Sequence, residues 1–193
     1  MILDEAYWTH CYKEKTTGWD IGSPSTPLKQ YLDQISNKDL KILIPGAGNA
    51  YEAEYAFSLG FENVHVLDFS PVPIAQFKQS CPDFPVSNIF IENFFFHEGK
   101  YDLILEQTFF SAIDPKLRKD YIKKMYELLL PSGKLTGVMF SREFNHPGPP
   151  FGGNKEEYIH YFTPEFEILK LEPCYNSIAP RMGNELFIQL RKN

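Results

Sequence analysis

The hydrophobic period of this 193-residue chain switches repeatedly between two and 3.6, the alternation expected of a parallel sheet covered by helices. Thr26 and Pro27 read as an N-cap and first helical position, with Leu28, Tyr31, Leu32 and Ile35 on one face, so the spacing predicts a helix to about Ser36. Lys41 to Ile44 is a short apolar run stopped by Pro45 and Gly46, and Ala50 to Leu59 is a helix closed by Gly60. Val64 to Leu67 reads as a second strand ending at Asp68, after which Ser70 and Pro71 open a helix to about Gln79. Further strands are predicted over Val86 to Ile91 and Tyr101 to Leu105. Asp114 and Pro115 then open a helix with Leu117, Tyr121, Met125 and Leu128 along one stripe, closed by Pro131-Ser132-Gly133. Leu135 to Phe140, Phe166 to Leu171 and Glu185 to Leu190 supply three more strands, so the chain ends β-rich.

The pattern predicts an α/β fold with a Rossmann-like, doubly wound, mostly parallel sheet of seven strands, the last two forming a closing hairpin. No linker or repeat divides it, so residues 1–193 are expected to form one domain, with 1–24 an aromatic arm. Composition narrows the partners. A net charge of −6 without a run of Lys or Arg argues against nucleic acid. Cys11, Cys81 and Cys174 form no C-x-x-C pair, which argues against a disulfide framework or thiolate metal site. The first residues lack an apolar leader, and no run is long enough to span a membrane. A cytoplasmic protein acting on a small molecule, as a monomer or weak homodimer, is the expectation.

The chemistry concentrates at the strand ends, where open α/β sheets bind ligands. Gly46 and Gly48 let the backbone approach a ligand before the helix N-terminus at Ala50, and Asp68, twenty positions after Gly48, is placed to accept ribose hydroxyls. Tyr51 occupies the third glycine position of the dinucleotide fingerprint, which makes NAD the runner-up ligand, and the loop lacks the Gly-Lys-Ser/Thr of an ATP site. Asn93 is placed to hydrogen-bond an adenine edge and Phe94 to cover its ring, while Glu106 and Gln107 follow the fourth strand. A missing substrate domain turns the balance from hydride transfer to methyl transfer.

Several further segments carry a resemblance. Trp8-Thr9-His10-Cys11-Tyr12, Gly18-Trp19-Asp20-Ile21-Gly22, Ile44-Pro45-Gly46-Ala47-Gly48 and Leu67-Asp68-Phe69-Ser70 lie in the first half. Tyr101-Asp102-Leu103-Ile104, Thr108-Phe109-Phe110-Ser111-Ala112-Ile113, Leu128-Leu129 and Gly148-Pro149-Pro150-Phe151 follow. The chain resembles the thiopurine S-methyltransferase superfamily, closest to its halide, thiocyanate and thiol methyltransferase branch. The resemblance implies the class I methyltransferase fold, with S-adenosyl-L-methionine as cofactor and S-adenosyl-L-homocysteine as product. It implies cofactor contacts from Trp8, Tyr12, Trp19, Gly46, Asp68, Asn93, Phe94 and Gln107, and the strand-end positions add Gly48, Phe69 and Glu106. Tyr12, Asn93 and Gln107 stand where the family has Trp, Asp and Tyr, and Ala50 replaces a further glycine.

Trp8 and Trp19 are suited to attract a sulfonium cation through their ring faces. Methyl transfer is an in-line displacement achieved by alignment and exclusion of water, so no catalytic nucleophile is expected, and Glu106 and Gln107 are the candidates for aligning the substrates. Phe110, Arg142 and Phe151, the last in the Gly148 to Gly153 loop, are expected to frame the acceptor. The histidines show no metal-ligand spacing, so no metal is expected.

Overall fold

In a computed structural model describing residues 2–193, the aromatic arm is more ordered than an arm: α1 spans Glu5–Lys13, with the Asp4 carboxylate accepting from the Tyr7 amide. Side-chain capping of this kind contributes about 1 kcal/mol. The helices α2 (Thr26–Asp33), α3 (Tyr51–Ser58), α4 (Pro71–Ser80), α5 (Phe109–Ala112), α6 (Arg118–Leu128) and α7 (Lys155–Phe162) follow. Among them run the strands β1 (Ile42–Pro45), β2 (Val64–Asp68), β3 (Ile89–Ile91), β4 (Tyr101–Gln107), β5 (Leu129–Phe140), β6 (Phe166–Pro173) and β7 (Glu185–Lys192).

The seven strands form one sheet in the order β3-β2-β1-β4-β5-β7-β6. The first five are parallel, and β7 runs antiparallel between β5 and β6. The order reverses between β1 and β4, and the crevice beyond their carboxyl ends is the expected ligand position.

Strand alternation divides the core between the two faces of the sheet. Ile42, Ile44, Leu103 and Leu105 pack with α2, α3 and α4, whereas Leu43 and Ile104 pack with residues of α5, α6 and α7. Both faces of β1 are buried, and each such Ile or Leu contributes about 1.5–3 kcal/mol. A continuous apolar run is therefore the right sequence for this strand.

Boundaries moved where local chemistry competed with periodicity. α2 ends at Asp33, and β3 begins only at Ile89 because Val86–Asn88 make a 3₁₀ turn after Pro85. The helix expected from Pro115 starts as a 3₁₀ turn, Pro115–Leu117, before α6. Pro131-Ser132-Gly133 does not separate helix from strand: β5 starts at Leu129 and absorbs the three residues in a register shift against β4, with Ser132 at φ +63°. Helix α7 is absent from the periodicity reading. Its signal was an Asn154 cap accepting from the Glu157 amide, the first half of a capping box.

Candidate active site

A cavity of about 1400 Å³ opens at the carboxyl ends of β1, β2 and β4 and extends under α1. Its walls bring together Trp8, Tyr12, Trp19, Gly46, Gly48, Asp68, Phe69, Asn93, Phe94, Gln107 and Arg142. These residues come from seven separate stretches of chain, and strand ends and the arm supply most of them.

The glycine loop is shaped by two close approaches. Gly46 and Gly48 have φ of +59° and +55°; a Cβ on the first would run into the Phe109 ring, and one on the second into the Tyr12 hydroxyl. Ala50 shares the left-handed conformation at φ +54° although it carries a Cβ, and it is the residue just before α3. Asp68 organises this loop from β2. Its Oδ2 accepts from the Gly48 amide at 2.9 Å and its Oδ1 from the Ser70 amide at 2.8 Å. Burial raises its pKa, opposed by these backbone donors. The remaining lone pairs of the carboxylate are free to accept from a ligand.

The arm is tied down at both ends. Thr9 and Ser70 share a hydroxyl hydrogen bond at 2.7 Å, and Asp20 Oδ2 accepts from Asn49 Nδ2 at 2.6 Å and from the Tyr51 hydroxyl at 3.3 Å. Tyr51 thus fills the third glycine position with a ring anchored to the arm. Trp19 meets Trp8 edge-on at 5.2 Å and Tyr12 at 5.8 Å, and its carbonyl accepts from Arg181 Nη2 at 2.8 Å. Beside Asp68, burial drives the Tyr12 phenol well above its ordinary pKa, so the ring stays neutral.

Asn93 caps the 3₁₀ turn Phe94–Phe96 by accepting from the Phe95 amide at 2.9 Å, which leaves its amide nitrogen for a ligand. Phe94 is buried against Phe109 and Tyr121 with its edge in the cavity wall. Gln107 closes β4, and its buried Oε1 has no hydrogen-bond partner, an arrangement that costs about 1–3 kcal/mol unless a ligand donor meets it.

Three expected residues lie elsewhere. Glu106 precedes Gln107 on the strand and so faces the opposite side of the sheet, fully buried. It accepts from the Phe110 amide at 3.0 Å and from the Tyr121 hydroxyl, and burial pushes its carboxyl up to about 7. Phe110 is 2% exposed and packs on Tyr121, Tyr158 and Phe162 as core; its neighbour Phe109 lines the cavity instead. Phe151 borders a separate hollow of about 280 Å³, because its amide is bonded to the Ser111 carbonyl and Arg118 Nη2 holds the Gly152 carbonyl at 2.7 Å. Sequence reasoning missed Phe140, Phe144, Arg181 and Asn184, which line the β5 and β7 end of the cavity. Only Phe109, inside the Thr108-Phe109-Phe110 run, carried a local signal.

The profile of the thiopurine S-methyltransferase family matches residues 3–187. The chain belongs to that family. Thiocyanate methyltransferase 1 of Arabidopsis thaliana is 30% identical over 190 residues, covering 95% of this chain and 83% of the relative. A second Arabidopsis thaliana relative, named "Probable thiol methyltransferase 2", is 28% identical over 192 residues, covering 96% and 84%. Among solved structures, the 1,6-didemethyltoxoflavin-N1-methyltransferase of Burkholderia thailandensis, solved with S-adenosylhomocysteine, superposes with a TM-score of 0.78 at 16% identity, covering 99% and 88%. That likeness is one of fold. The chain is an S-adenosylmethionine-dependent methyltransferase with a class I Rossmann-like fold.

The walls suit this cofactor. The Asp68 carboxylate at the end of β2 fits a ribose diol, the orphaned Gln107 oxygen fits a donor or a polarised C–H, and the Trp8, Tyr12 and Trp19 rings fit a sulfonium. No helix among the described residues is long and apolar enough to cross a membrane.

Proposed function

We propose that this methyltransferase S-methylates a small thiol, or methylates thiocyanate or a halide, in the cytoplasm, as a monomer or weak homodimer and without nucleic acid or membrane partners. What supports this reading is kinship with thiol and thiocyanate methyltransferases, together with a cavity lined by Gly46, Gly48 and Asp68, by the Trp8, Tyr12 and Trp19 rings, and by Gln107, Phe140 and Phe144. Asp68 holds the ribose hydroxyls, Asn93 and Phe94 hold the adenine, with Phe69 beside them, and the Gly46 to Gly48 backbone supports the amino-acid end. Trp8, Tyr12 and Trp19 enclose the sulfonium and exclude water. The bound cofactor supplies an electrophilic methyl group; the residues supply alignment, which is where most of the rate enhancement of such a displacement arises.

No histidine lines the cavity among the described residues, and an acceptor that is already an anion needs none. Gln107, standing where the family has Tyr, favours one alternative: a homologue with another small acceptor, or one that binds cofactor without turnover. Calorimetric titration with S-adenosylmethionine, followed by labelled methyl transfer to thiols, thiocyanate, halides, arsenite and hydroxylated aromatics, tests both readings. Transfer to a thiol or to thiocyanate supports the first. Binding without transfer to those acceptors supports the second, and absence of binding overturns both.

A further inference from the structure

The turn after β4 places a strained residue between two that line the cavity. Thr108 has φ +63° and ψ −2°, a left-handed conformation in which a β-branched side chain crowds its own backbone. Elsewhere that region is given to glycine, at Gly22, Gly46, Gly48, Gly60, Gly148 and Gly183, which enters it without steric cost. Among the described non-glycine residues there, Lys15, Ala50, Thr108 and Ser132, only Thr108 is branched at Cβ. Glycine at 108 would form the same turn with less strain, so the turn by itself does not account for a threonine.

The threonine adds a lock on both neighbours. Its Oγ1 donates to the Gln107 carbonyl at 2.6 Å, and its own carbonyl accepts from the Ser111 hydroxyl at 2.7 Å. Both peptide groups flanking Thr108 are therefore tied to side chains. Gln107, on one side, stands in the cavity wall, and its Oε1 finds no partner within the protein. Phe109, on the other, lays its ring so close to the glycine loop that a Cβ on Gly46 would overlap it, and it meets Phe94 edge-on at 5.1 Å. Glu106 fixes the next turn from the opposite face of β4 by accepting from the Phe110 amide at 3.0 Å. A change in the Thr108 dihedrals would swing the Gln107 amide and the Phe109 ring relative to each other, because the two leave the chain on either side of it.

We infer that Thr108 is a positioning residue for methyl transfer: its left-handed, hydroxyl-locked turn holds the Gln107 amide and the Phe109 ring against the methyl end of the cofactor, and keeps the fold less stable than a relaxed turn would. The inference rests on the cofactor placement proposed above and is independent of the acceptor. An in-line displacement gains from groups that are in place before the ligand arrives, and a strained backbone persists where its surroundings over-determine it. Relaxing the turn should therefore stabilise the fold and loosen the site.

Sinefungin carries an amine where S-adenosylmethionine carries its methyl group, and S-adenosylhomocysteine carries nothing there, so calorimetry with these two ligands reads the methyl end without any acceptor. The wild type should bind sinefungin more tightly by about tenfold, the worth of one hydrogen bond. Thr108→Gly and Gln107→Leu should each bring the two affinities within about threefold of one another, with S-adenosylhomocysteine itself bound as in the wild type. Thr108→Ser, which keeps the hydroxyl, should retain the preference, and Thr108→Ala, which lacks it, should lose it. Urea unfolding of the ligand-free proteins supplies the second readout. Thr108→Ala keeps a Cβ in the left-handed region, so Thr108→Gly should unfold at the higher urea concentration, the reverse of the usual order of alanine and glycine. The proposal is overturned by a wild type without the preference, by a Thr108→Gly protein that retains it, or by Thr108→Ala proving the more stable of the two. A Thr108→Gly protein that fails to fold overturns it as well, since relief of strain does not unfold a protein. Absence of S-adenosylhomocysteine binding in the wild type overturns the cofactor placement too, whereas binding without the sinefungin preference overturns the role of Thr108 alone.

Discussion

The two ends of the cavity are built on opposite principles. At the β1 and β2 end, polar groups satisfy each other before any ligand arrives: Asp68 already accepts from the Gly48 and Ser70 amides, and Asn93 already caps its turn. Past the end of β4 the Gln107 oxygen has no partner, and at the β5 and β7 end Arg142 has no carboxylate partner among the described residues, while Arg181 donates to the Trp19 carbonyl and pairs with Glu185 at 3.5 Å. Under the proposed function, the first end is a preformed mould for the cofactor, and the second leaves hydrogen-bonding capacity to the acceptor. Preorganisation lowers the ordering cost of binding, whereas unsatisfied groups favour a ligand that completes them and penalise one that does not.

The largest effect is expected at the seam between the ends, on the hidden side of β4. Glu106 has an ordinary pKa of 4.5 and is held at about 7 in the fold, so the folded state binds its proton more tightly than the unfolded state. Its contribution to stability is therefore greatest below pH 4.5 and is lost as pH rises to 7, an effect of about 3 kcal/mol at full extent. Glu106→Gln keeps the Phe110 hydrogen bond and removes the titration. Unfolding by urea should show the variant gaining on the wild type between pH 4.5 and 7 and staying ahead at pH 8. Parallel profiles would show that the carboxyl ionises freely.

Next in size is Asp68→Ala. Loss of the ribose acceptor should weaken S-adenosylmethionine binding by about 1–3 kcal/mol, and the two stranded amides should lower stability by a similar amount. Calorimetry and thermal unfolding together check it; full affinity would mean that the acid serves the loop alone. Trp19→Ala removes two edge-to-face ring contacts and should lower cofactor affinity by about 1 kcal/mol with a smaller change in stability, because the ring is half-buried. Collapse of the fold would instead make the arm a core element. The smallest effect is expected from Ala50→Gly. Relief of a left-handed alanine gains about 1–2 kcal/mol and glycine's extra chain entropy takes back about 0.5–1, so a stability gain of about 0.5–1 kcal/mol is expected. A loss would show that the Ala50 methyl, buried among the α2 and α3 contacts, outweighs its backbone strain.

The sheet was legible before folding is considered, because buried parallel strands must be short apolar runs and their helices must carry a stripe, and both are local signals. The glycine loop and its acid were legible too: Gly46 follows β1, Asp68 ends β2, and Gly48, Asn93 and Phe94 lie within three residues of a strand end, a distance that places them at the crevice. What the sequence could not separate was Glu106 from Gln107 or Phe109 from Phe110. Neighbouring residues of a strand or helix leave on different sides, and a one-position register decides between cavity and core. The β5 and β7 end of the cavity comes together only on folding. Trp19 and Arg181 lie 162 positions apart, and Phe140, Phe144 and Arg142 gain meaning only when β7 inserts beside β5 and brings Arg181 onto the Phe140 ring. No pattern within a helix or strand records a contact made over that separation.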